Sequence, residues 1–329
     1  MSNDAPTPDA APQMTLAAFR ALAEMLRAEV RKVIQGQDAL IEMLLISIFA
    51  RGHCLLEGPP GTAKTLLAQT LSQVTSLAFG RVQFTPDLMP GDVLGVNLFN
   101  FQTGEFRLTR GPVFTDILLA DEINRAPPKT QSALLQAMNE REVTIDGTTH
   151  PLGDEFFVIA TQNPIEQHGT YPLPEAQLDR FLFKLLVDFP DRDAEISILS
   201  KGTRGPAGVM KAGLRQVMDR AILQDGHALV DAIRLEDSIL RYIVDLVRAT
   251  RTDGEVLHGA STRAAAALAG AVRAKAALDG RDYALPDDVQ GLFVPAMRHR
   301  IVLGPTAEIE GRTADELLTA ILNRQDAPR

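Results

Sequence analysis

Apolar residues recur at helical spacing from Thr15 to Val33, where Leu16, Phe19, Leu22, Leu26 and Val30 share one face. Gln35-Gly36-Gln37 breaks the period, and a second helix is predicted from Asp38 to Arg51. The pattern then shortens. Cys54 to Leu56 is a brief apolar run, followed by a loop rich in Gly and Pro and by a helix from Lys64 to about Val74. Further strands are predicted at Arg81–Phe84, Ile117–Ala120, Phe156–Asn163 and Leu182–Val187. The run at 117–120 is continuously apolar, as in a parallel strand buried on both faces. An α/β fold is the reading these elements support.

Between the strands lie two hairpin signals. Residues 85–95 hold two prolines and two glycines, which excludes a plain helix there. A hairpin turning at Thr103-Gly104 is predicted next, with Arg107 and Arg110 near its end. Pro127-Pro128 opens a helix that runs to about Arg141. Asp146-Gly147 then marks a second hairpin, over about 142–152. Past Phe189 only helices are predicted, near 191–202, 211–224, 235–251, 262–279 and 286–298. The chain therefore divides into a tail (1–14, expected disordered), an α/β domain (15–188, with an insert at about 85–110) and a helical domain (189–329).

Composition narrows the class. With 329 residues there is room for about two domains of roughly 150 each. No apolar run approaches the roughly 18 residues of a membrane span, and the N-terminus does not read as a signal peptide. A single cysteine, Cys54, excludes an internal disulfide and reads as a core thiol. A cytoplasmic protein is expected. The net charge is −9, nearly all of it in the first 190 residues, and aromatics make up 5%. With no Lys/Arg-rich block, a general nucleic-acid binder is disfavoured.

The chemistry gathers at strand ends. Strand, loop and helix around Gly58, Pro59, Pro60, Gly61, Thr62, Ala63, Lys64 and Thr65 are the setting of a phosphate-binding loop. There backbone N–H groups and a helix N-terminus cradle a polyphosphate. Lys64 would reach the β/γ-phosphates and Thr65 would ligate Mg²⁺. The strict pattern wants Gly where Ala63 stands; the expectation is that a residue at a helix mouth takes ordinary αR angles, which suit Ala. The strand at 117–120 ends in Asp121 and Glu122, the Walker B arrangement, in which Asp121 holds Mg²⁺ and Glu122 activates water. Asn163 ends another strand, within reach of a γ-phosphate. Arg180, between Asp179 and Phe181, otherwise reads as a helix-end arginine paired to a carboxylate. Arg263 opens an Ala-rich helix, where a cation opposes the helix dipole and hints at an anion.

These segments resemble the AAA+ ATPases, and among them the MoxR family, from about Val33 to Leu303. The resemblance rests on five ordered matches: the Gly58–Thr65 loop with Ala before Lys, Asp121 to Met138, Gln162-Asn163-Pro164, Gly169 to Phe181, and Gly259 to Arg263. It implies a P-loop core with a parallel five-stranded sheet and an all-α lid. It also implies ATP and Mg²⁺ as cofactors. Asn163 would be sensor 1, Arg180 the arginine finger and Arg263 sensor 2, with Val33 to Gln37, Gln35 and Gly36 among them, as the segment lining the adenine pocket. The family's pattern further implies a ring, a hexamer, that remodels a client complex with a partner carrying a von Willebrand factor A domain. Thr262 stands where the family commonly has Pro. Three alternatives stay open: a magnesium-chelatase-like motor subunit, an MCM-like nucleic-acid motor, and an adaptor that binds nucleotide without turnover.

Overall fold

A computed structural model describes residues 14–164, 169–201 and 212–328. The expected disordered tail falls, but for Met14, outside the described residues, as does the loop expected at 202–206. Helix α1 (Leu16–Arg31) starts where the Thr15 hydroxyl accepts from the Ala18 N–H, and it buries Phe19, Leu22, Leu26 and Val30. Helix α2 (Asp38–Phe49) leads into strand β1 (Cys54–Glu57). Then come α3 (Lys64–Thr75), β2 (Phe79–Gln83), the short α4 (Pro90–Leu94) and an antiparallel hairpin, β3 (Gly95–Asn100) with β4 (Glu105–Arg110). Strand β5 (Ile117–Asp121) is followed by α5 (Pro128–Glu140) and the hairpin β6 (Glu142–Ile145) and β7 (Thr148–Pro151). Its turn has positive φ at both Asp146 and Gly147, as a two-residue hairpin turn requires. Strand β8 (Phe157–Gln162), the short α6 (Glu175–Leu178) and β9 (Phe183–Leu186) complete this part.

Five strands form one parallel sheet in the order β2-β5-β8-β1-β9. Because side chains alternate along a strand, the sheet feeds two cores. Leu55, Leu118, Ala120, Val158 and Ala160 pack with α5 and β6 on one face. Cys54, Leu56, Ile117, Leu119 and Ile159 pack on the other with α1, α2 and α3. The register sets Gln83 beside Asp121 and Glu57 beside Gln162, so the polar strand ends form one edge.

Among the described residues, the remaining helices are α7 (Arg192–Lys201), α8 (Arg220–Asp231), α9 (Asp237–Thr252), α10 (Thr262–Leu278), α11 (Pro286–Met297), α12 (Pro305–Ile309) and α13 (Ala314–Arg324). The hydrophobic core of α1 and α2 continues without a break through Leu246, Leu268 and Phe293. Three expectations are corrected here. The helix expected at 211–224 starts instead at Arg220. Residues ahead of it are held by Val217 N–H on Val74 O and by Arg215 on Glu29, and Asp219 caps the helix. The region is not helices only, since β10 (Val256–His258) pairs antiparallel with β11 (Val302–Leu303). A capping box, Thr313 with Glu316, also starts a helix that the periodicity reading omitted.

Candidate active site

The loop between β1 and α3 is shaped by its neighbours. A side chain at Gly58 would put its Cβ 2.1 Å from Val187 O, and Gly61 has a φ of +88°. Both positions require glycine. Ala63 does not take the αR angles expected of it. It is left-handed, with φ 63° and ψ 19°, so the glycine of the strict pattern answers a real conformational demand that Ala meets under strain. Lys64 Nζ donates to Gly58 O at 2.8 Å and Pro59 O at 2.7 Å, while Thr62 Oγ1 donates to Pro59 O. Burial draws the Lys64 ammonium below its ordinary pKa, and the charges of Asp121 and Glu122 oppose that shift.

Across the cavity stand the ends of β5, β2 and β8. Asp121 Oδ2 accepts from Thr65 Oγ1 at 3.2 Å and from Arg81 Nη2 at 2.8 Å, and its Oδ1 accepts from Thr161 Oγ1 at 2.7 Å. The Thr161 oxygen also accepts the Glu122 N–H at 2.9 Å, so one hydroxyl fixes both carboxylate residues. Glu122 is itself left-handed, with φ 56°. Its Oε2 accepts from Gln83 Nε2 at 2.7 Å and faces Arg125 Nε at 3.1 Å. Buried Asn163 lines the same cavity of about 710 Å³. Thr65 and Asp121 offer adjacent oxygen donors, the set a hard divalent cation takes.

Opposite the phosphate loop the cavity is lined by Val33, Ile34, Gln35, Gln37, Pro190 and Ile198. Gln37 Nε2 donates to Thr62 O at 3.3 Å, and among the described residues Gln35 Nε2 and Gln37 Oε1 are buried without a partner. A slot with apolar walls and an unused amide donor and acceptor fits a nucleobase. Gly36 turns there with φ +70°, and a Cβ on it would lie 2.6 Å from the Ala194 Cβ.

Arg180 and Arg263 are elsewhere. They line a second cavity of about 270 Å³ together with Asn139, Arg141 and Arg300. Arg180 Nη1 donates to Leu135 O at 2.5 Å, and Arg263 Nη2 donates to Asn139 Oδ1. The neighbouring carboxylate of Asp179 is bonded by Arg300. Sequence reasoning missed Arg81, Gln83 and Thr161 at the first cavity, while Gln37 belongs to the Val33–Gln37 segment expected there. For Gln83 and Thr161 the signal was present, since ligands meet an α/β sheet at the carboxyl ends of its strands. Arg81, inside β2, carried none.

A parallel sheet whose strand ends present a phosphate-binding loop and an Asp-Glu pair defines a P-loop ATPase of the AAA+ class. The description "ATPase family associated with various cellular activities (AAA)" matches residues 53–183, and "AAA lid domain" matches residues 248–321. The chain is 44% identical to the uncharacterized protein YeaC of Bacillus subtilis (strain 168), over 91% of this chain and 92% of that one. It is 40% identical to the chaperone MoxR1 of Mycobacterium tuberculosis, over 92% of this chain and 81% of that one. A crystal structure of a Cytophaga hutchinsonii protein superposes with a TM-score of 0.88 at 39% identity, over 95% of this chain and 97% of the other. The chain belongs to the MoxR family of AAA+ ATPases.

Proposed function

We propose that this ATPase works as a ring, of six subunits by its family's pattern, in which ATP bound to one subunit is completed by arginines of the next. The observation that supports this is the pairing of Arg180 and Arg263 in a cavity apart from the one that holds Lys64, Asp121, Glu122 and Asn163. Cations gathered on a different face of the same chain suit an anion presented by a neighbour.

Within one subunit, Lys64 and the Gly58–Thr65 loop hold the phosphates, with Gln35, Gly36 and Gln37 at the base. Thr65 and Asp121 would hold Mg²⁺, which supplies charge neutralisation at phosphate oxygens when bound. Glu122 orients a water for in-line attack and takes its proton; Asn163 fixes that water or the γ-phosphate. Arg180 from the adjacent subunit, with Arg263 beside it, meets the charge that develops as the γ-phosphoryl leaves. The helical region after residue 188 carries the nucleotide state outward as a lid. The work is chaperone-like remodelling of a client complex in the cytoplasm, with a von Willebrand factor A domain protein as partner. The hairpin over Glu142–Pro151 has no Lys or Arg, which supports a protein client over a nucleic-acid one.

Two inactive proteins test the ring. Arg180→Ala subunits keep a base and lack a finger; Glu122→Gln subunits keep a finger and lack a base. Mixed, they should regain ATPase activity at the junctions that combine both intact halves. Silence from rings verified as mixed would refute action between subunits.

A further inference from the structure

Arg300 follows α11 and is 3% exposed at its side chain. A guanidinium has five N–H groups, and every one of these is spent. Nε donates to Asp179 Oδ1 at 2.8 Å. Nη2 donates to Asp179 O at 3.3 Å and Phe181 O at 2.7 Å. Nη1 donates to Leu182 O at 3.2 Å and Ala296 O at 2.6 Å. Four of these five bonds go to residues 179, 181 and 182, the immediate neighbours of Arg180. His299 adds a contact from its Nε2 to Phe181 O at 2.9 Å.

A buried cation is tolerated only when its charge and its donors are matched. Here the matching groups are one carboxylate and three carbonyls of one short segment, with a fourth carbonyl, Ala296 O, from α11, so most of the energy of burying Arg300 is tied to the shape of that segment. Lysine would not substitute, because a compact ammonium with three donors does not span four carbonyls and a carboxylate. Arg300 also lines the cavity of Arg180 and Arg263. With all its N–H groups committed to the protein, it offers none to an incoming anion. Two residues earlier, Arg298 Nη2 pairs with Asp315 Oδ2 of α13 at 2.8 Å. The clamp is thus anchored in the helical region, while the segment it grips leads into β9 of the sheet.

We propose that Arg300 is the positioning residue for Arg180: it holds the 179–182 backbone so that the Arg180 guanidinium points at the adjacent subunit's nucleotide, and it makes that aim depend on the helical region. This rests on the reading of Arg180 as a finger acting between subunits. Displacing a catalytic group by about 1 Å costs on the order of 10²-fold in rate. Arg300→Lys should therefore lower kcat for ATP about 10- to 100-fold and leave KM within about twofold, since its own nucleotide cavity is untouched.

The deciding experiment mixes full-length Arg300→Lys subunits with Glu122→Gln subunits and measures phosphate release from ATP. Rescue in the mixture is expected, because Arg300→Lys impairs only the arginine a subunit lends. Asp179→Asn, which weakens one bond of the clamp, should show the same pattern with a smaller fall, and it serves if Arg300→Lys does not assemble. Arg180→Ala mixed with Glu122→Gln is the parallel arm. Recovery there with none for the folded, assembled clamp variants overturns the role of Arg300 and leaves the finger standing. No recovery in either arm removes the finger and the clamp with it. An undiminished kcat in either clamp variant, unmixed, also overturns the proposal.

Discussion

His53 is buried between the two hydrogen bonds of a neutral ring. Its Nε2–H donates to Met138 O at 3.1 Å, and its Nδ1 accepts the Val158 N–H at 3.1 Å. A second proton would set a donor against the Val158 donor, inside the core. Burial is the main force holding its pKa down, to about 4 from 6.5; the Arg141 charge adds to it, and the bond to Met138 O opposes it. A histidine depressed in this way contributes stability that is fully present above pH 6.5 and is lost as the pH falls toward 4. Below 6.5 the unfolded chain binds a proton that the folded chain refuses. With those two values the linkage relation gives a loss of about 2 kcal/mol between pH 7 and pH 5 from this residue alone. His227 bonds Ile48 O at 3.0 Å, also sits at about 4 and adds a loss of the same order. Glu29, held near 2 chiefly by hydrogen bonds from Arg215 and Lys32, loses its contribution only below about 4.5. Acid destabilisation between pH 7 and 5 is thus expected to come from the buried imidazoles.

The perturbation is His53→Gln, which removes the titration and keeps an amide able to make one of the two bonds. Its stability at pH 7 should fall by about 1–3 kcal/mol for the lost bond. Urea unfolding followed by circular dichroism at pH 7, 6 and 5 gives the comparison. The variant should lose about 2 kcal/mol less than the parent over that range. A pH dependence equal to the parent's would show that His53 is charged in the folded state or open to water, and the reasoning would fail.

Two further outcomes follow from the site. Thr161→Val keeps the shape of the side chain and removes the hydroxyl that holds Asp121 and the Glu122 N–H; kcat should fall by at least about tenfold, roughly 1.4 kcal/mol, and steady-state ATPase rates unchanged from the parent would rule out that coupling. Ala63→Gly releases a left-handed alanine, worth about 1–2 kcal/mol, against about 0.5–1 kcal/mol for the freer unfolded glycine. A higher urea midpoint is expected, and a lower one would contradict the left-handed geometry.

How far the fold could be read in advance depended on where local pattern decides. The buried strands stood out because β5 and β8 are apolar on both faces, and their polar ends fell where the chain leaves the sheet. Both hairpins were visible through their turn residues. The start of α8 was not, because residues 212–219 are held by Glu29 and Val74, contacts more than a hundred residues away in sequence. Ala63 is the instructive case. Its identity was plain, but whether that residue turns left is set by how the loop closes over Lys64, and local propensity favours the opposite answer. Arg180 was visible as a candidate; the arginine that grips its flanks lies 120 residues further on, and no spacing rule connects them.

Ala63 and Glu122 are both left-handed residues with side chains, and they line the same cavity from opposite sides. Neither conformation is favoured by the residue that holds it, so each must be imposed by its surroundings. For Ala63 the surroundings are the Lys64 bonds to Gly58 O and Pro59 O and the start of α3. For Glu122 they are Thr161, which takes its N–H, and Gln83 and Arg125, which hold its carboxylate. The imposed turn at Glu122 swings the side chain off the direction of β5 and over the cavity, while Asp121, one residue earlier, stays in the strand beside Thr65. Adjacent carboxylates in a continuing strand would point to opposite faces. Strain at one residue is what lets two successive side chains face a single cavity, one beside Thr65 and one beside Gln83 and Arg125.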